Sequence, residues 1–410
     1  MKVKSLFLSI CAIAALASCS KNEDIVTHAG SEAAEAKVTL KLEGDGAVTR
    51  AGGTQEPADE AGADAKDLTV FFFNATGFIV GGPQYIAEGD LGKPITTTTD
   101  AAEVVVIANL GGGSVSTKFN GVSSLEQLKK VDFSSIADAS GVKTVNQSKD
   151  NLYSSGAGEI TFNDNVGTAT VQLHFVAAKV KAVKITWGNG QNYAATENEL
   201  KTDKAKWFTI KRVYMMTAQT NSPLIPSDTT DASWGGFVPQ AYAFAGGVAW
   251  GATPWVWSDS NIAAPVQTND YLVSTMPTAN NDAIANVLGE GTSHKAWYMF
   301  ENSPASGHPT GLVVEVLWRS VDQSMETNDI LTKYFTVYFG EKSPTGGNLP
   351  LLKAGNTYDM AIGLKGDFKP GGNAGGGGDD PSKPSVDATV KVTVKTAQWT
   401  TTGEISKDFQ

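Results

Sequence analysis

Apolar side chains in this chain recur at every second position, in short runs broken by turn residues. A period of two lines them up on one face of a β-strand; a helix would need them three or four apart. The plainest case is near the end, where Val386, Ala388, Val390, Val392 and Val394 alternate with Asp387, Thr389, Lys391, Thr393 and Lys395. A shorter one comes early, with Val38, Leu40 and Leu42 set against Lys37, Thr39 and Lys41. Further β-type runs fall at 68–73, 103–110, 151–155, 159–162, 207–215, 311–318, 333–339 and 357–364. Helical signals are few. Ser124-Leu125-Glu126-Gln127 is a capping box for one short helix, and 283–288 reads as another. Many short strands with few helices predict a mainly β chain built of β-sandwich domains.

Across 169–187 the apolar phase changes twice. It is odd at Val171, Leu173 and Phe175, even at Val180 and Ala182, and odd again at Val183, Ile185 and Trp187. Such a flip requires a bulge or a strand that changes sheets. A boundary is therefore expected there, between an N-terminal domain at 51–184 and a C-terminal domain at 185–365. Residues 366–385 hold Gly371-Gly372, the glycines 375–378 and Pro370, Pro381 and Pro384, and read as a linker without a core. An arm at 386–410, with Trp399 as an aromatic anchor, follows.

Composition excludes several classes. Hydrophobic residues are 41% and charged residues 18% of 410, so global disorder is ruled out. A net charge of -11 repels phosphate backbones, so nucleic acid is not an expected partner. Two cysteines cannot make a disulfide framework or a cysteine-based zinc site. The four histidines, 28, 174, 294 and 308, are too scattered to suggest a metal site. There is no Gly-x-Ser-x-Gly elbow, and Gly111-Gly112-Gly113 lacks the Lys-Ser/Thr pair of a phosphate loop. No enzyme activity, catalytic residue, metal or cofactor is expected.

Residues 1–18 have the layout of an export signal: Lys2 and Lys4, an apolar run at 6–16 too short to span a bilayer, then Leu16-Ala17-Ser18-Cys19. That ending reads as a lipobox; an ordinary cleavage site that happens to precede a cysteine is the other option. Acylation of Cys19 would tie the exported precursor to the outer membrane through its lipid. Residues 19–50 then read as a tether carrying the short strand of Val38, Leu40 and Leu42.

The chain has three arginines, at 50, 212 and 319. Arg212 lies in a strand-like run and Arg319 directly follows one, whereas Arg50 sits in a Gly-rich loop as Val48-Thr49-Arg50-Ala51-Gly52-Gly53. An Arg-specific protease acting on the folded protein would cut there and leave a chain starting at Ala51; Arg50 as a plain surface residue is the other option. The cut would free the strand of Val38, Leu40 and Leu42. The groove it leaves could accept Val390, Val392 and Val394 of the next subunit, with Val386 and Ala388 extending the contact. Each buried valine is worth about 1.5–3 kcal/mol and each ladder hydrogen bond about 1 kcal/mol. A head-to-tail contact of this kind does not close and so builds a filament of copies of the chain.

These features resemble the fimbrillins of Bacteroidetes (type V pilins), most of all their Mfa1-type branch. The resemblance rests on the lipobox followed by Ser20-Lys21, on Arg50-Ala51-Gly52, and on Asp67-Leu68-Thr69-Val70. It continues with 171–185 around Ala177-Ala178-Lys179, Gly355-Asn356-Thr357-Tyr358, and the Gly/Asp/Pro stretch. It ends on Val390-Lys391-Val392-Thr393-Val394, Trp399-Thr400 and Asp408-Phe409, and leaves about residues 190–300 unmatched. It implies two tandem transthyretin-like β-sandwich domains with an extended C-terminal donor strand. It also implies trimming by a gingipain-like protease, a surface fimbrium active in adhesion and biofilm, accessory subunits, and a host or bacterial surface ligand. The competing functions are a lipid-retaining anchor or minor subunit, and a surface glycan-binding lipoprotein. The latter would use Trp234, Trp250, Trp255 and Trp257 with Tyr242 and Phe244, rings that could equally pack under long loops.

Overall fold

The computed structural model describes residues 33–44, 54–57, 64–111, 115–133, 135–136, 152–187, 192–219, 221–227, 236–237, 244–245, 271–277, 283–289, 292, 296–302, 309–321, 330–340, 348–364, 368–372, 377–379, 381 and 390–400. Cys19, Arg50, Ala51, Val386, Ala388, Tyr242 and the four tryptophans at 234–257 lie outside them.

The first strands are β1 (Glu35–Gly44), β2 (Thr54–Pro57), β3 (Asp67–Asn74), β4 (Gln84–Ala87), β5 (Ile95–Thr98) and β6 (Ala101–Ala108). Helices α1 (Val115–Lys118) and α2 (Leu125–Leu128) precede β7 (Ser154–Asn163), β8 (Val166–Phe175) and β9 (Ala177–Trp187). Then come α3 (Glu197–Thr202), β10 (Phe208–Met216), β11 (Ala218–Gln219), β12 (Phe244–Ala245), β13 (Leu272–Val273), β14 (Ala283–Leu288) and β15 (Trp297–Phe300). The last four are β16 (Gly311–Arg319), β17 (Ile330–Tyr338), β18 (Asn356–Leu364) and β19 (Val390–Thr400). The chain is mainly β, as its period-two pattern predicts.

One sheet has the order β4-β3-β6-β7-β8-β1-β5 and curls on itself. Its two end strands meet, since Gln84 Nε2 of β4 donates to the Thr96 carbonyl of β5 at 2.9 Å. Inside the curl pack Val38, Leu40 and Leu42 of β1, Leu68, Val70 and Phe72 of β3, Val104 and Val106 of β6, and Val171 and Leu173 of β8. β3 and β6 are apolar on both faces because both are covered. Phe71, Phe73, Val105 and Ile107 face a second cluster with Phe133, Tyr153, Leu224, Phe237 and Phe300.

The second body is a sandwich of two sheets, β13-β10-β16-β17 and β12-β11-β15-β9-β18-β19-β2. Its core brings Val180, Val183, Ile185, Tyr358, Met360 and Ile362 against Phe208, Val213, Val314, Val316 and Phe335.

Both causes of a phase flip occur in 169–187. β8 ends at Phe175 in the curled sheet, and β9 starts at Ala177 in the sandwich, with Val176 between. Then β9 bulges: Tyr358 pairs with Val180 but Asp359 with Ala182, so Lys181 is skipped and Val183 regains the core face. The capping box forms α2, with Ser124 Oγ accepting from the Gln127 amide at 3.2 Å.

Two segments differ from expectation. Residues 283–288 are strand β14, pairing with β9, rather than a helix. Their short apolar run fits either state, and an open β9 edge decides. The Gly/Pro stretch after 365 is not loose where it is described. Phe368 is fully buried and stacks on Phe208 at 4.3 Å, while its carbonyl accepts from Trp318 Nε1 at 3.1 Å. Gly378 and Tyr334 exchange backbone hydrogen bonds at 2.8 Å each, and the Thr336 hydroxyl donates to the Pro381 carbonyl at 2.7 Å. This strap runs along β17.

Candidate functional site

β1 fills a slot in the curled sheet between β8 and β5. It runs parallel to β8 from Lys37 opposite Val166 to Gly44 opposite Leu173. On its other side it runs antiparallel to β5, but only from Glu35 opposite Thr98 to Val38 opposite Ile95. The ladder is full on one side and half-length on the other. Ala36, Val38, Leu40 and Leu42 are buried, while Lys37 and Lys41 are exposed. This is the face split that the alternation predicts, with Ala36 as a fourth inward residue.

Glycine shapes the slot at one point. Val38 lies opposite Gly167, where a Cβ would meet Val38 Cγ2 at 2.9 Å. At the far end Glu43 accepts from Gln172 Nε2 at 2.6 Å and pairs with Lys41 at 2.8 Å. The bond from Lys41 holds the Glu43 carboxyl below its usual pKa.

The chain leaves β1 at Gly44 in the curled sheet and resumes at Thr54 as β2 in the sandwich. Arg50 and Ala51 fall in that crossing. The other two arginines are engaged within strands. Arg212 of β10 pairs with the buried Glu315. Arg319, at the end of β16, is fully buried and donates to the Leu200 and Lys206 carbonyls.

Val390, Val392 and Val394 lie on β19, opposite Leu364, Ile362 and Met360 of β18 in antiparallel register. Trp399 lies opposite Glu56 of β2, which runs parallel to β19 over Thr54–Pro57. The two strands singled out by the sequence are therefore not brought together: β1 sits in the curled sheet and β19 in the sandwich of the same chain. β2 escaped sequence reasoning, since Thr54-Gln55-Glu56-Pro57 has no apolar alternation. Of the aromatic cluster only Phe244 is described, as part of β12. Among the described residues, no group of three His, Cys, Asp or Glu side chains is placed to hold a metal.

The described residues thus form a curled sheet followed by a sandwich, with strand β1 in an apolar slot of the first and β19 on the second. Residues 36–175 match the family model of the major fimbrial subunit protein FimA, and 257–399 match the C-terminal domain model of FimA-like major fimbrial subunits. The chain belongs to the FimA-type fimbrillin family, whose members are fimbrial subunits of the cell surface. No curated protein is a significant match. Among solved structures, a candidate cell adhesion protein from Bacteroides eggerthii is similar with a TM-score of 0.58 at 21% identity, over 90% of this chain and 98% of that one. One from Parabacteroides distasonis has a TM-score of 0.51 at 18% identity, over 91% and 99%. At such identities these likenesses speak for the fold alone.

Proposed function

We propose that this chain is a structural pilin, the shaft subunit of a surface fimbrium. The precursor is exported as a lipoprotein acylated at Cys19. An Arg-specific protease cuts after Arg50, β1 leaves its slot, and the C-terminal arm of the next subunit, released from β18 and β2 of its own chain, takes its place. Repetition of that step builds the filament, which serves adhesion and biofilm formation.

The observation that carries this reading is the setting of β1. Its four inward side chains fill an apolar slot, its ladder is half-length on one side, and it joins the rest through 45–53. Once that tie is cut, β1 is held by non-covalent contacts alone. An empty slot would expose apolar walls and the unpaired backbone edge of β8, which favours refilling by another strand. The placing of Arg212 within β10, paired with the buried Glu315, and the burial of Arg319 support a single cut at Arg50, because a protease needs an accessible, extended segment.

Two variants test it. Arg50→Ala is expected to leave full-length lipoprotein without filaments. Deletion of 386–410 is expected to give trimmed monomers that cannot donate. Normal filaments from either variant refute the reading.

A further inference from the structure

The two strands in play read as versions of each other. Residues 35–44 are Glu-Ala-Lys-Val-Thr-Leu-Lys-Leu-Glu-Gly, and 387–396 are Asp-Ala-Thr-Val-Lys-Val-Thr-Val-Lys-Thr. In this superposition Ala388 takes the place of Ala36 and Val390 that of Val38. Val392 and Val394 replace Leu40 and Leu42, and Asp387 keeps the acidic start of Glu35. We infer that the incoming arm enters in the direction of β1, parallel to β8, with 387–396 in the register of 35–44. Val390 then lies over Gly167, which makes Gly167 and Ala388 the register-setting pair of residues. This rests on the strand-exchange reading above.

The alternatives place worse side chains at buried positions. A slip of one residue turns Lys391, Thr393 and Lys395 inward. A slip of two in one direction aligns Lys37-Val38-Thr39-Leu40-Lys41 with Lys391-Val392-Thr393-Val394-Lys395, the better match by letters. It sets Val390 where Ala36 is 1% exposed, and puts the Thr396 hydroxyl where Leu42 sits beside Leu68, Ile86 and Ile95. The opposite slip sets Ala388 over Gly167, two small residues face to face, and leaves a void. In the inferred register, the residue opposite Gln172 changes from Glu43 to Lys395. An amide tolerates that change, because Gln172 can accept from the ammonium as readily as it donates to the carboxylate.

Cysteine pairing reads the register directly. Both natural cysteines, 11 and 19, precede Arg50, so a chain starting at Ala51 has none. Thr168 is exposed and lies opposite Thr39, whose place Lys391 would take. Trimmed Thr168→Cys subunits are copolymerised with trimmed subunits carrying Thr389→Cys, Lys391→Cys or Thr393→Cys, then oxidised and run on non-reducing gels. The expected result is a disulfide-linked dimer for Lys391→Cys at least tenfold above the other two. With Thr170→Cys as acceptor, opposite Lys41, the maximum is expected to move to Thr393→Cys. Filaments with a maximum at another donor position, a shift the opposite way, or no disulfide at any position overturn the inferred register or direction. Failure of the cysteine-free trimmed subunit to polymerise refutes strand exchange itself.

Discussion

Val38 of the first strand lies directly across from Gly167 of β8, and a methyl group on that glycine would stand 2.9 Å from Val38 Cγ2 and 2.7 Å from the Phe162 ring. The glycine is there to let a branched side chain sit down against the neighbouring strand. Gly167→Ala is therefore expected to destabilise the full-length chain by about 1–3 kcal/mol, the usual range for overpacking. A urea midpoint equal to that of the parent protein contradicts this.

Glu301 is 1% exposed. Its carboxylate accepts from the Phe237 amide at 2.7 Å and the Ala354 amide at 2.9 Å, tying two loops together. Glu301→Ala leaves two buried N–H groups without that acceptor, at about 1–3 kcal/mol each. Thermal unfolding is expected to show a lower Tm for Glu301→Ala, with Glu301→Gln in between because its amide oxygen still accepts.

Burial raises the phenol pKa of Tyr193 to about 12, and that of Tyr358 is raised further by the same cause. An unfolded tyrosine titrates near 10. Both groups thus keep their full contribution to stability below about pH 10 and lose it as pH climbs toward the folded values. The Tyr358 hydroxyl also donates to the Leu351 carbonyl at 2.6 Å and accepts from the Lys353 amide at 2.8 Å. Tyr358→Phe is expected to cost about 1–3 kcal/mol at pH 7 and to flatten the alkaline loss. Urea titrations at pH 7, 10 and 11 check both effects.

The strap after β18 is predicted to be part of the sandwich. Phe368 is fully buried on Phe208, so Phe368→Ala is expected to cost about 3–5 kcal/mol. A neutral result would show that this stretch is a linker after all.

Much of the fold is legible in the sequence because a period of two can be met only by strands. Val38, Leu40 and Leu42 announce the face that β1 buries, and the double phase change at 169–187 foreshadows both the sheet switch at Val176 and the bulge at Lys181. What stays hidden is pairing between distant segments. Nothing in residues 37–44 says that they run parallel to 166–173, because a strand's pattern gives its face but not its neighbour. The short run 283–288 has no intrinsic preference strong enough to override an available sheet edge. In the stretch after 365 the glycines and prolines read as a linker, and the one contrary signal is a single aromatic residue, Phe368. Of the candidate site, the structure places Val38, Leu40 and Leu42 on β1, whereas Arg50 and Ala51 lie outside the described residues.

The most direct measurement is a high-resolution structure of native filaments, read at the strand between β8 and β5. Side chains of 387–396 from a neighbouring subunit, in chains that begin at Ala51, are the expected occupant. Finding residues 35–44 of the same chain still in that position would contradict strand exchange.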